Sequence, residues 1–170
     1  MASPRRRHLA YPAAALAVLA LAAAALALGS GAAAQDSGAR TLTLKEHDRG
    51  STFTHIRNTK TKSRQANSQG DVIAFTNPLA DESGKRIGKL SAECVTTTGS
   101  RSFVKSTVTC VVVLALRDGT LTVQTNLSLS KPETVGAVTG GTGAYANARG
   151  VVVSKTTESG STDTFTLEAQ

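Results

Sequence analysis

Apolar and polar positions alternate with a period of two along most of the chain after residue 40, and this pattern predicts strands. Residues 41–46 place Leu42 and Leu44 on one side and threonines on the other. Short runs follow at 51–56 and 71–76, the second ended by Asn77-Pro78. A longer run covers 87–98, turns near Gly99-Ser100 and returns through 103–110. The clearest unit is a hairpin of 108–117 and 120–129 around Asp118-Gly119, a dipeptide that favours a two-residue turn. That turn sets Leu116 opposite Leu121, Leu114 opposite Val123, Val112 opposite Thr125 and Cys110 opposite Leu127. One face is then apolar and the other mixed, which suits a barrel or sandwich whose outer face is partly covered. Residues 134–139 lead into Gly140-Gly141-Thr142-Gly143, read as a tight turn. Runs at 150–157 and 162–168 complete the set. Residues 35–40 and 60–69 read as flexible segments. About eight antiparallel strands fit a small closed barrel that either fills its interior or holds one ligand.

The first 34 residues do not belong to this pattern. Arg5, Arg6 and Arg7 precede an uncharged Ala/Leu-rich stretch at 13–28, and Ala32-Ala33-Ala34 follows. This order is that of a secretory signal peptide cleaved before Gln35. The apolar stretch is shorter than the roughly 20 residues that span a bilayer, so no stable membrane insertion is expected after cleavage. The division is therefore 1–34 signal, 35–40 flexible segment and 41–170 barrel domain, in a secreted protein. The formal charge of +7 drops to +4 once the three signal arginines are set aside. The remaining Lys and Arg are scattered, apart from Arg57, Lys60, Lys62 and Arg64. After the signal there is no Trp, one Tyr and four Phe, so base-stacking platforms are scarce and no nucleic-acid partner is expected.

Export changes the reading of the two cysteines. In an oxidising compartment Cys94 and Cys110 are expected to pair. The runs at 87–98 and 103–110 would bring them to one face of adjacent antiparallel strands. They do not make a metal site, and His47 and His55 add no zinc-type spacing. Gly141-Thr142-Gly143-Ala144-Tyr145-Ala146 matches the dinucleotide pattern G-x-G-x-x-A, but no helix follows to receive a pyrophosphate. No cofactor or metal is expected.

The stretch Thr139-Gly140-Gly141-Thr142-Gly143-Ala144-Tyr145-Ala146-Asn147-Ala148-Arg149-Gly150 resembles the glycine-rich signature of dirigent proteins and allene oxide cyclases. Gly70-Asp71-Val72-Ile73-Ala74-Phe75-Thr76-Asn77-Pro78-Leu79, with Gly84-Lys85-Arg86-Ile87-Gly88, resembles the segment that leads through a Pro-Leu turn into the next strand. With the export signal and the cysteine pair, the resemblance is to bacterial allene oxide cyclase-like barrel domain proteins. It implies an all-β, calycin-like, eight-stranded antiparallel barrel whose lumen binds a hydrophobic or phenolic small molecule. Such a barrel guides an isomerisation, a cyclisation or a stereoselective coupling, and forms homodimers or homotrimers. Residue by residue, the resemblance points to Asp48 and Arg149 as catalytic. Ala146 stands where dirigent proteins carry a second arginine. Tyr145 is a ligand-binding candidate or a core residue, and Arg149 serves the ligand or fastens the turn. The alternative to a binding or enzymatic role is a non-catalytic surface or structural barrel. A lumen packed solid would favour that alternative; a cavity of several hundred Å³ would favour ligand binding.

Overall fold

A computed structural model describes residues 39–58 and 66–169. The signal segment 1–34 lies outside the described residues, as do 35–38 and the whole basic stretch at 60–64. Nine strands follow in order: β1 Arg40–His47, β2 Thr52–Ile56, β3 Val72–Ala80, β4 Arg86–Thr98, β5 Thr107–Leu116, β6 Gly119–Ser128, β7 Glu133–Gly143, β8 Gly150–Thr157 and β9 Gly160–Leu167. Every pairing is antiparallel. The order β1-β9-β8-β7-β6-β5-β4-β3 closes where β1 also pairs with β3, so eight strands form a barrel and β2 extends the free part of the β3 edge. Closure satisfies backbone groups that an open sheet would expose.

Alternation decides what fills the barrel. Its lower half, where β1 begins and β9 ends, holds a continuous apolar core that includes Leu44, Leu79, Leu114, Leu121, Val138 and Phe165. A smaller cluster of Ile73, Cys94, Val108 and Cys110 sits near the upper ends of β3, β4 and β5, against Phe103 and Leu127. Cys94 lies directly opposite Cys110 and the two form a disulfide. A cross-link closing a loop of this length adds about 2–4 kcal/mol to stability.

The structure corrects three local expectations. The hairpin register is offset by two: Leu116 faces Gly119, Leu114 faces Leu121, Val112 faces Val123, Cys110 faces Thr125 and Val108 faces Leu127. The turn residues are Arg117 and Asp118. Gly119 is instead the first residue of β6, at φ +149, and a Cβ there would lie 2.0 Å from the Thr142 carbonyl oxygen of β7. Contact with the third strand thus claims the glycine that the turn was expected to use. A slip of two residues leaves every side chain on its predicted face.

Pro78 does not end β3, which runs on to Ala80. Between the pairs Glu46↔Leu79 and Thr52↔Thr76, residues 47–51 bulge opposite Asn77 and Pro78. On the β1–β2 side Pro78 therefore faces a bend, while on the other side it pairs with Lys89 of β4; a proline is tolerated where pairing is interrupted in this way. Likewise Gly140-Gly141-Thr142-Gly143 is the end of β7 and not a turn. The turn comes after it, with Gly143 at φ +60 and Asn147 at φ +62.

Two further segments differ from the alternation. Phe103–Lys105 is a single 3₁₀ turn ahead of β5 rather than its first residues. Asn67 and Ser68, within the segment expected to be flexible, are buried, and Asn67 bridges to Ser100.

Candidate functional site

On β1, β8 and β9 the inward side chains change from apolar to polar from bottom to top, whereas β5 stays apolar through Leu114, Val112, Cys110 and Val108. On β1 they run Leu42, Leu44, Glu46; on β9 they run Leu167, Phe165, Asp163, Ser161. On β3 they run Leu79, Asn77, and on β8 Val152, Ser154. The lower half packs solid. The upper half leaves a cavity of about 300 Å³, walled by Phe75, Leu90, Val112, Val123, Val152 and Phe165 among others. That size lies at the small end of ligand sites. The polar groups facing it are Glu46, Asn77, Thr125, Thr134, Ser154, Ser161 and Asp163, with Asp48 at the rim. Gly136 helps to keep the space open, since a Cβ there would come 2.7 Å from a methyl of Val123.

The chemical centre of this cavity is a pair of carboxyl groups at the seam of the barrel. Glu46 is opposite Ser161 on β9 and opposite Leu79 on β3, so Asp163 and Asn77 are its diagonal neighbours on the same face. The Asn77 amide donates to Glu46 Oε2 at 2.5 Å. The Ser161 hydroxyl donates to Asp163 Oδ1 at 3.0 Å. Asp163 is 3% exposed. Burial, and then the charge and hydrogen bonding of Asp163, push the Glu46 carboxyl up to about 8; the hydrogen bonds from Asn77 and Ser161 pull more weakly the other way. Glu46 therefore keeps a proton at neutral pH. A buried acid poised near the working pH, beside a second acid and an apolar wall, is equipped to give and take a proton on a bound molecule.

The residues expected from the sequence are distributed along the barrel axis. Asp48 is exposed at the rim of the cavity, where its backbone N–H donates to the Ser159 carbonyl at 3.0 Å. Arg149 lies at the opposite, lower end and is exposed; its Nη1 donates to the Ala148 carbonyl at 2.8 Å. Tyr145 is buried in the lower core, with the Arg40 guanidinium 5.4 Å from its ring centroid, and it does not line the cavity. The structure thus brings Asp48 near Glu46 and Asp163, and does not bring Asp48 and Arg149 together. The glycine signature acts at the lower end. Gly141 allows the Tyr145 carbonyl to approach within 2.4 Å of where a Cβ would be, so the turn folds into the base of the barrel.

Glu46, Asn77 and Asp163 escaped the sequence reading. One signal was available: on β1 and β9 a carboxylate follows the apolar residues on the inward face. A second polar pair lies outside the cavity. Asp71, fully buried, accepts from the Asn58 N–H at 2.7 Å and the Ser68 N–H at 2.9 Å, and its Oδ2 lies 2.9 Å from His55 Nε2. Burial would raise its carboxyl, but these bonds together hold it below the ordinary aspartate range. This pair ties β2 and the residues after it to the head of β3. Among the described residues, no group of three or more His, Cys, Asp or Glu converges to hold a metal ion.

A closed antiparallel barrel with one packed end and one acid-lined chamber defines the class. The chain belongs to the Dirigent-like protein family, whose pattern it matches over residues 41–170. Among solved structures it is similar to a pyocyanin demethylase, at 22% identity and TM-score 0.60, over 75% of this chain and 99% of that one. It is also similar to a pterocarpan synthase dirigent protein, at 22% identity and TM-score 0.57, over 77% and 90% of the two chains. A third is the Diels-Alderase AbmU from Streptomyces koyangensis, at 15% identity and TM-score 0.54, over 76% of this chain and 64% of that one. At these identities the likeness is one of fold. No curated protein matches the chain.

Proposed function

We propose that this barrel holds an apolar or aromatic small molecule in its upper cavity and guides an isomerisation, cyclisation or stereoselective coupling there. The observation that carries the reading is the acid pair Glu46–Asp163 set into an otherwise apolar chamber. The walls fix the shape of the bound molecule and exclude water, which lowers the entropic part of a barrier. Glu46 supplies or removes a proton, with Asn77 holding one of its oxygens in place. Asp48 stands at the rim, between this pair and solvent. In this reading Arg149 and Tyr145 maintain the closed lower end. A chamber of this size supports ligand binding over a purely structural barrel. Export of residues 35–170 after removal of 1–34 suits the disulfide. Assembly into a homodimer or homotrimer would cover outward valines such as Val111, Val135 and Val151.

Native mass spectrometry of the exported protein, followed by titration with a panel of lipids and phenols, tests the reading. At least one small hydrophobic molecule is expected to bind in a one-to-one ratio. Val112→Phe, which puts a ring into the chamber, should weaken that binding while leaving the strand content unchanged. If no panel member binds, or if Val112→Phe binds as well as the native protein, the lumen is not the site.

A further inference from the structure

This inference rests on the reading of the upper cavity as a small-molecule site, and it concerns which molecules that site accepts. The charge lining the chamber is one-sided. Its walls present three acidic side chains, Glu46, Asp48 and Asp163, and among the described residues lining it there is no lysine, arginine or histidine. Every element around Glu46 repeats this. From β9 it meets Asp163 and Ser161, from β3 it meets Asn77, and Asp48 follows at the rim. Its sequence neighbours Lys45 and His47 alternate to the outer face, and the Lys45 ammonium donates to the Glu82 carbonyl at 2.8 Å. The two inner acids receive hydrogen bonds but no compensating positive charge.

A negative charge held in an apolar chamber is costly unless it is neutralised. A proton from water can do this, and so can a ligand. We propose that the cavity selects aromatic ligands that carry a cationic nitrogen and rejects ligands that carry a carboxylate. The apolar walls take the rings. The nitrogen is placed against Glu46 and Asp163, where its charge replaces the one the chamber lacks. A carboxylate would add a further negative charge at close range in a low dielectric, with no cation to receive it. Fatty acids are therefore excluded, although their chains suit the walls.

A consequence in pH follows. A cation favours the ionised form of Glu46, so it competes with the Glu46 proton and binding releases that proton. Affinity for the cation should rise with pH up to the value near 8 at which Glu46 ionises, and level off above it. A neutral ligand displaces no proton and should bind with no such trend.

The test is fluorescence titration of the disulfide-bonded protein with three tricyclic probes of similar size. These are N-methylacridinium, 9-methylanthracene and anthracene-9-carboxylate. Above about pH 8, N-methylacridinium is expected to bind about tenfold or more tighter than 9-methylanthracene, and the carboxylate weaker than either. The acridinium affinity should fall several-fold between about pH 8 and about pH 6. The double variant E46Q/D163N should bring the acridinium down to the level of 9-methylanthracene. An unchanged far-UV circular dichroism spectrum of that variant reports an intact barrel. The proposal is overturned if the carboxylate binds as tightly as the cation, or if E46Q/D163N keeps the cation preference. Equal binding of all three probes removes the charge preference and leaves the cavity reading standing. Failure of all three to bind removes both.

Discussion

The lower and upper halves of this barrel use the same strands and the same alternation, yet they are built for different tasks. Below, inward positions are Leu44, Leu114, Leu121, Val138 and Phe165, all nearly free of solvent contact. Above, further along β1, β6, β7 and β9, the inward positions reach Glu46, Thr125, Thr134 and Asp163, around an open chamber. Stability is concentrated where side chains interlock; the proposed chemistry lies where they do not. The fold can hold a buried acid pair because the other half of the core, the disulfide and the closed hydrogen-bond ladder support it.

This contrast is sharpest in the effect of truncation. Phe165→Ala at the floor should cost about 3–5 kcal/mol, because the surrounding strands cannot collapse into the space. Thr125→Ala in the chamber should cost less than about 1 kcal/mol, since it enlarges a cavity that already exists. Urea unfolding of the two variants measures both. Comparable losses would mean that the upper half is packed as tightly as the lower and that the division is false.

A second prediction concerns the polar anchor at the head of β3. Asp71→Ala leaves the Asn58 and Ser68 N–H groups and His55 without their common acceptor, and should cost about 2–4 kcal/mol. The sign with pH is fixed by the lowered carboxyl. The stabilisation from Asp71 is present above the ordinary aspartate value of 3.8 and is lost as pH falls through the lower folded value. Thermal unfolding of native and variant protein should therefore differ most near neutral pH and converge in strong acid. A variant that is equally destabilised at every pH would show that packing, and not the charge, is what Asp71 contributes.

The effect of Glu46 has the opposite sign. The Glu46 carboxyl is raised, so the folded chain holds a proton that the unfolded chain gives up above 4.5. Stability is lost between that value and about 8, and Glu46→Gln removes the loss. The glutamine keeps an oxygen for Asn77 and gains an N–H to offer Asp163. We expect Glu46→Gln to be near neutral at pH 4 and increasingly stabilising toward pH 8, read from melting temperatures across that range. A loss of stability at both pH values would place the acid pair among the supports of the fold.

Much of the architecture was legible in the sequence, because alternation of Thr and Val with period two depends on nothing beyond a strand's own residues. The runs at 41–46, 87–98, 150–157 and 162–168 lie on observed strands, and Cys94 meets Cys110 as the pattern implied. What failed locally failed where a third strand intervened. Gly119 looked like a turn residue and serves a close contact with Thr142; Pro78 looked like a strand end and faces the bend at 47–51. The site was less legible for the same reason. Glu46 and Asp163 are far apart in sequence, and only the pairing of β1 with β9 makes them neighbours. Asp48, to which the family resemblance points, stands at the rim, whereas Arg149 and Tyr145, from the glycine signature, mark the other end of the barrel.

The sealed base has a kinetic meaning. With the turn at 143–149 folded into the lower end and Tyr145 and Ala148 buried there, the barrel is a cup and not a pipe. Whatever enters past Asp48 must leave past Asp48. Uptake of a new molecule and release of the old one then compete for a single doorway, so the two events must alternate. An excess of the incoming molecule cannot push the outgoing one through the far side. On the proposed function, such a vessel must empty before it can fill again.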